Sequence, residues 1–164
     1  MFLWGASWVS SKYLTQNAHP QVLSFWRFFL TIFFSLPFMF YFKQSFVLSK
    51  EVFFRILLSS VFMVIYFQLF FIGVSKGLAG IGGVIVTGLN PLFIFLISLF
   101  LFKKQIHLKE SIGLLLGFLG AMLILQIWRI QPETLLMSGN FFYFLGAIMW
   151  AIVTLSSQYA QQRT

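Results

Sequence analysis

Two cations, Lys12 and Arg27, stand inside otherwise apolar sequence. At the centre of a membrane span such a charge costs roughly 2.5 to 3.5 kcal/mol on insertion scales. At about 1.5 Å of rise per residue, Arg27 lies roughly 7.5 Å below Val22 and Lys12 a similar distance from Gln16, so both approach the outer face. One use for them is to line an external vestibule and hold a carboxylate or phosphate, for which Arg offers a planar two-point fork. The alternatives are that both snorkel to the headgroups or that Arg27 caps carbonyls of a neighbouring helix. Asn90-Pro91 is a third polar feature at mid-span: the proline removes a backbone hydrogen bond and frees carbonyls around Thr87, and Asn90 adds an amide that donates and accepts. In lipid, freed carbonyls must face protein or a wet cavity, so this segment either lines a substrate cavity at a kink or packs a structural kink against a neighbour. Gln68, with Tyr66 and Ser60 as weaker companions, is either a cavity group or an interhelical hydrogen bond. Trp4, Trp8, Trp26 and Trp150 could stack on a flat substrate or anchor the chain at the interface. Ala79, Gly83 and Thr87 recur every four residues, as do Gly113, Gly117 and Ala121, a small-residue spacing expected to let helices approach closely.

What is missing narrows the chemistry. Glu51, Glu110 and Glu133 all fall in loops or at helix ends, so no apolar segment carries a carboxylate that could shuttle a proton. His19 and His107 are the two histidines and belong to loops on opposite sides, which leaves no paired ligands for a metal. Cysteine is absent. No phosphate-cradling GxxxxGK[ST] run and no Ser-His-Asp set occur. The chain is therefore expected to be no enzyme and to need no cofactor.

These residues must be positioned by membrane helices. Of 164 residues, 60% are hydrophobic, 21% aromatic and 9% charged, against roughly 25% charged in a soluble domain. That is more apolar surface than one core of this length can hide. The net charge of +8 does not signal nucleic acid, because the cations sit between apolar runs rather than on one basic face. A span needs about 20 apolar residues, and the polar clusters divide the chain into helices at about 1–16, 22–42, 56–74, 78–102, 111–128 and 141–164, with a loop at 129–140. The expected fold class is all-α, a polytopic transmembrane helix bundle. The first segment is short and reads as lacking some N-terminal length.

Loop charge sets the orientation. Lys43, Lys50, Arg55, Lys103, Lys104, Lys109 and Arg163 fall on one side, and Lys76 and Arg129 on the other. The richer side is expected to be cytoplasmic, which places the N-terminus inside and the protein in the cell (inner) membrane.

An internal match accompanies this pattern. Trp4 to Tyr13 reads WGASWVSSKY and Trp150 to Tyr159 reads WAIVTLSSQY, pairing Trp4 with Trp150, Ser10-Ser11 with Ser156-Ser157 and Tyr13 with Tyr159. Because the second copy lies five helices further along the chain, on the sixth helix against the first, the copies would enter the membrane in opposite senses, as in inverted-repeat transporters.

The residues then resemble the EamA family of the drug/metabolite transporter superfamily. Trp4-Gly5-Ala6-Ser7 through Lys12 looks like the family's opening helix, and His19-Pro20 followed by Phe25-Trp26-Arg27-Phe28 is similar to its entry into the second. The run from Gly80 to Phe100 with Asn90-Pro91-Leu92-Phe93 resembles the fourth helix, and Gly113 to Gly120 the fifth. One departure is Lys103-Lys104, where the family often has Gly-Glu, so a loop ion pair is not carried over. The membrane Glu of the related four-helix small multidrug resistance proteins has no counterpart here either. The resemblance implies ten helices as two inverted five-helix repeats, with residues 1–128 forming the first repeat and 141–164 opening the second.

On that basis the expected function is secondary transport of small metabolites, amino acids or drug-like compounds by alternating access. The candidate substrate-binding residues are Arg27, Lys12, Asn90, Gln68 and Trp4, with Pro91 as a structural kink and Gly83, Gly113 and Gly117 at helix contacts. The expected partners are the lipid bilayer, a small-molecule substrate of anionic character and the second repeat, with no nucleic acid. The other class open to this sequence is a non-transporting membrane scaffold or a subunit of a membrane enzyme complex. If the cavity lies between repeats, these 164 residues alone should insert but not transport. The cysteine-free background makes topology directly testable: with a membrane-impermeant maleimide, Asn17→Cys should label in intact cells and Lys50→Cys only after permeabilisation. The reverse pattern would invert the orientation.

Overall fold

The computed structural model describes residues 2–43, 49–102, 108–129, 133 and 138–161. Over them the chain forms six α-helices: α1 (Phe2–Asn17), α2 (Pro20–Tyr41), α3 (Lys50–Lys76), α4 (Ala79–Phe102), α5 (Leu108–Leu125) and α6 (Ser138–Gln161). Lys103, Lys104, His107 and Arg163, which entered the loop and charge arguments, lie outside the described residues. Five helices, α2 to α6, are long and apolar enough to cross a membrane. With 16 residues, α1 spans about 24 Å, short of the roughly 30 Å hydrocarbon core.

The helix ends follow local chemistry that hydropathy does not see. Helix α3 begins six residues before the apolar run because Ser49 caps it, its side chain accepting from the Val52 N–H at 3.3 Å. Glu51 in the first turn favours the helix dipole and pairs with Arg55 at 3.0 Å. Helix α2 starts at Pro20, where a proline costs nothing because the first N–H groups have no partner anyway. Helix α5 stops at Leu125, short of the expected Trp128, because Gln126 turns to positive φ (48°) and a 3-10 turn, Ile127–Arg129, follows.

Helix α3 is the hub. It packs against α1, α2 and, most extensively, α6, while α4 closes on α1 and α6 and carries α5 on its outer side. The core is aromatic: Trp8, Tyr66, Phe67, Phe70, Phe71 and Tyr143 cluster with Val74 and Val86. Most of the remaining large apolar side chains face outward, including Phe25, Phe29, Phe33 and Phe34 of α2, as a lipid-facing surface requires.

Tyr143 of α6, only 1% exposed, sets how closely the helices approach. Its ring lies against three glycines: a Cβ added at Gly73 would stand 2.8 Å from it and one at Gly77 3.2 Å, and one at Gly82 would overlap it. Gly139 extends the contact, since a Cβ there would collide with the Gly77 backbone. The close approaches therefore differ from those expected. A Cβ at Gly83 would make ordinary contact with Trp8 at 3.7 Å, and at Gly113 and Gly117 it would meet nothing within 4 Å among the described residues. The small-residue spacing of α5 is thus split: Gly113 and Gly117 face an open cleft, while Ala121 packs closely against Gly88 of α4, where an added Cβ would stand 2.9 Å from it.

Two substitutions separate these cases. Gly82→Ala should destabilise the fold by about 1–3 kcal/mol, because the fully packed ring cannot retreat. Gly113→Ala should be neutral or stabilising by up to about 1 kcal/mol through helix propensity. Thermal unfolding in detergent checks both, and equal effects would contradict the packing assigned to Tyr143.

Candidate functional site

Lys12 and Arg27 meet different surroundings. Helix α3 ends at Gly77, and the last carbonyls of any helix lack internal partners. The Lys12 ammonium donates to the carbonyls of Val74 (2.8 Å), Ser75 (3.2 Å) and Gly77 (2.9 Å). Three donors thus meet three acceptors at the negative end of the helix dipole, which a cation favours.

Arg27, seven residues into α2 and so about 10 Å from its start, does something else. Its guanidinium carbon sits 4.2 Å from the centroid of the Phe67 ring, a cation–π geometry. Among the described residues it makes no hydrogen bond, so the donors of its fork remain available. Around it the structure leaves a small cavity of about 30 Å³ lined by Trp4, Ser7, Trp8, Tyr66, Phe70 and Trp150 together with Arg27 and Phe67. The walls are braced by ring contacts: Trp4 on Trp8 (5.9 Å), Trp8 on Phe70 (4.7 Å) and Tyr66 on Trp150 (4.7 Å). Ser7 turns its hydroxyl back to the Trp4 carbonyl at 2.6 Å.

Of the residues anticipated at a site, Arg27 and Trp4 come together here, and Lys12, Asn90, Gln68 and Pro91 do not. Lys12 is held at the end of α3. Pro91 lines a separate cleft of about 530 Å³ between α4 and α5, with Thr87, Gly113, Gly117 and Glu110. Within α4 the Thr87 hydroxyl donates back to the Gly83 carbonyl, four residues earlier, a bond that tends to bend a helix. Asn90 is half-buried, and its side-chain oxygen has no hydrogen-bond partner among the described residues. Gln68 is half-buried on α3 and lines neither the Arg27 cavity nor the α4–α5 cleft.

Tyr66, Phe67, Phe70 and Ser7 were not anticipated as lining residues, apart from Tyr66 as a companion of Gln68. The signal was faint but present: Phe70 falls four residues from Tyr66 and three from Phe67, spacings that make neighbours on a helix, in a segment where almost every residue is apolar.

A family model for EamA-like transporters matches residues 1–126. The chain belongs to the EamA-like transporter family. It is similar to the uncharacterized transporter YyaM of Bacillus subtilis (strain 168), at 28% identity over 153 residues, covering 90% of this chain and 50% of that protein. The chain thus spans about half the length of the curated relative it matches. No solved structure matches it. With five helices able to cross a bilayer, this EamA-family chain is an integral membrane protein.

The roles of the two cations can be separated by experiment. Lys12→Met should lower thermal stability by about 1–3 kcal/mol, since it strips donors from buried carbonyls, and Lys12→Arg should recover part of the loss. Unchanged stability in Lys12→Met would remove the capping role.

Proposed function

We propose that the chain is one wall of a secondary transporter for small metabolites, amino acids or drug-like compounds, with the Arg27 cavity as its substrate contact. The observation that carries this is the meeting of Trp4 and Trp150 at one cavity. These are the two tryptophans that the internal match pairs, carried on helices α1 and α6, which enter the membrane from opposite sides in the inverted-repeat reading. In an inverted-repeat transporter the substrate sits near mid-membrane at the junction of the repeats. Arg27 and Trp150, about 10 and 18 Å from the starts of their helices, bracket the middle of a roughly 30 Å hydrocarbon core.

Membership of a transporter family supports the same class of activity. Residues 1–128 then form the first repeat and α6 opens the second, and alternating access comes from rocking of the two units about the aromatic cavity. The N-terminus lies in the cytoplasm and the protein in the cell membrane, in accord with the loop-charge count. Arg27 gives the cavity a preference for an anionic group, because its fork is unoccupied and no described carboxylate lines the cavity with it.

Transport into vesicles carrying the two-repeat form, across a panel of amino acids, organic anions and cationic drugs, tests this. Arg27→Ala should lower uptake of an anionic substrate by about tenfold or more, the scale of a lost charge-assisted contact, with membrane insertion unchanged. Equal uptake of every compound by both forms would remove Arg27 from the site.

A further inference from the structure

The Arg27 cavity, at about 30 Å³, has room for a water or a small headgroup and nothing larger. It does not stand alone. Three of the four helices around it, α2, α3 and α6, also carry a groove of about 620 Å³ along their seam, lined by Phe28, Ile32, Ile56, Ser59, Met63 and Val153 among others. That volume falls within the 300–1,000 Å³ of small-molecule sites.

The register ties the two spaces together. Arg27 and Phe28 are neighbours on α2, Met63 lies one turn from Tyr66 on α3, and Val153 one turn from Trp150 on α6. The rings of Phe28, from the groove, and Phe67, from the cavity, meet edge to face at 5.3 Å. This pair is the septum between them, and Arg27 rests on its Phe67 side. The groove itself is apolar. Of its hydroxyls, Ser60 donates to the Ile56 carbonyl at 2.8 Å and Ser157 to the carbonyl of Val153. Ser59 Oγ is buried without a partner among the described residues.

One end of the seam thus offers an unpaired cationic fork among aromatic rings, and the other an apolar trough with one unspent hydroxyl. Resting on the proposed transport role of the Arg27 cavity, we infer that the substrate is an amphiphilic organic anion. Its carboxylate or comparable oxyanion is held at Arg27 and its apolar body lies in the α2–α3–α6 groove. A small polar amino acid leaves the groove empty, and a cationic drug meets Arg27 with like charge.

The test uses the full 164-residue chain in zwitterionic lipid nanodiscs, with Trp fluorescence quenched by terminally brominated carboxylates of increasing chain length. Matching alkylammonium and alkanol series and protein-free discs serve as controls. Trp4, Trp8 and Trp150 line the cavity and report directly. Carboxylate affinity should rise about threefold to fourfold per methylene, the scale of burying one CH₂, and exceed that of the ammonium series by about tenfold or more. Arg27→Gln should erase the preference for the anion while keeping the chain-length gain, and Val153→Phe, which fills the trough, should flatten that gain. Ile124→Phe, on the exposed side of α5, should alter neither.

A chain-length gain that survives Val153→Phe, or equals that of protein-free discs, would overturn the inference. So would complete loss of quenching when anionic lipid replaces part of the disc, which would assign the groove to bilayer lipid. If short carboxylates bind through Arg27 with no chain-length gain, the amphiphile falls and the transport site stands. Equal binding of anions and cations in both wild type and Arg27→Gln would take both down.

Discussion

The last turn of α3, from Gly73 to Gly77, is gripped from two sides, and the rest of the bundle is placed by that grip. On one side the Tyr143 ring of α6 lies against Gly73 and Gly77. On the other, the Lys12 ammonium of α1 takes the carbonyls of Val74, Ser75 and Gly77. The glycines make the first contact possible, since a side chain at either position would hold the ring away. Fixing α1 and α6 against one end of α3 fixes where Trp4, Trp8 and Trp150 stand further along it, and these are the walls around Arg27.

The constraint behind the grip is the membrane's refusal to satisfy polar groups. A helix end in lipid needs donors for its carbonyls from within the protein. Helix α3 turns directly into α4 through Gly77 and Leu78, and Gly73, Val74 and Gly77 at that end are buried. Lys12 supplies the missing donors, and the energy that would oppose burying an ammonium becomes an interhelical link. Hydroxyls work similarly within single helices: Ser24 donates back to the Pro20 carbonyl at 3.0 Å and Thr154 to Trp150 at 2.9 Å. The polar inventory of the chain is therefore largely consumed in holding it together. This gives weight to groups that remain unspent among the described residues, which include the Arg27 fork, the Ser59 and Tyr143 hydroxyls and the Asn90 oxygen.

The helical architecture was legible in the sequence because hydropathy over twenty residues is a strong signal. The boundaries that moved were those set by capping. Ser49 and the Glu51–Arg55 pair extend α3 through residues that composition alone assigns to a loop, and Gln126 ends α5 through backbone conformation. The glycine contacts were harder. The pattern of small residues every four runs through α5, where Gly113 and Gly117 open on a cleft while Ala121 meets Gly88 of α4, and what decides between the two cases is whether a partner, such as a ring, stands opposite. Tyr143 is that ring for Gly73, Gly77 and Gly82, three positions on two helices, and no pairwise spacing in the sequence joins them.

The same limit explains why Lys12 and Arg27 looked alike and diverge in the structure. Each is a cation one or two turns inside an apolar helix, so insertion cost and depth treat them equally. Their roles follow from the partner. Opposite Lys12 lies a helix end, which presents carbonyls converging on a point that a compact ammonium with three donors can satisfy. Opposite Arg27 lies the side of a helix, whose carbonyls are already bonded and whose surface is the face of Phe67, on which a flat guanidinium can rest. A helix end saturates a cation, whereas an aromatic face holds it in place and leaves its donors pointing elsewhere. An arginine kept in position without being satisfied is the arrangement a binding site requires, and the aromatic wall on α3 is what produces it.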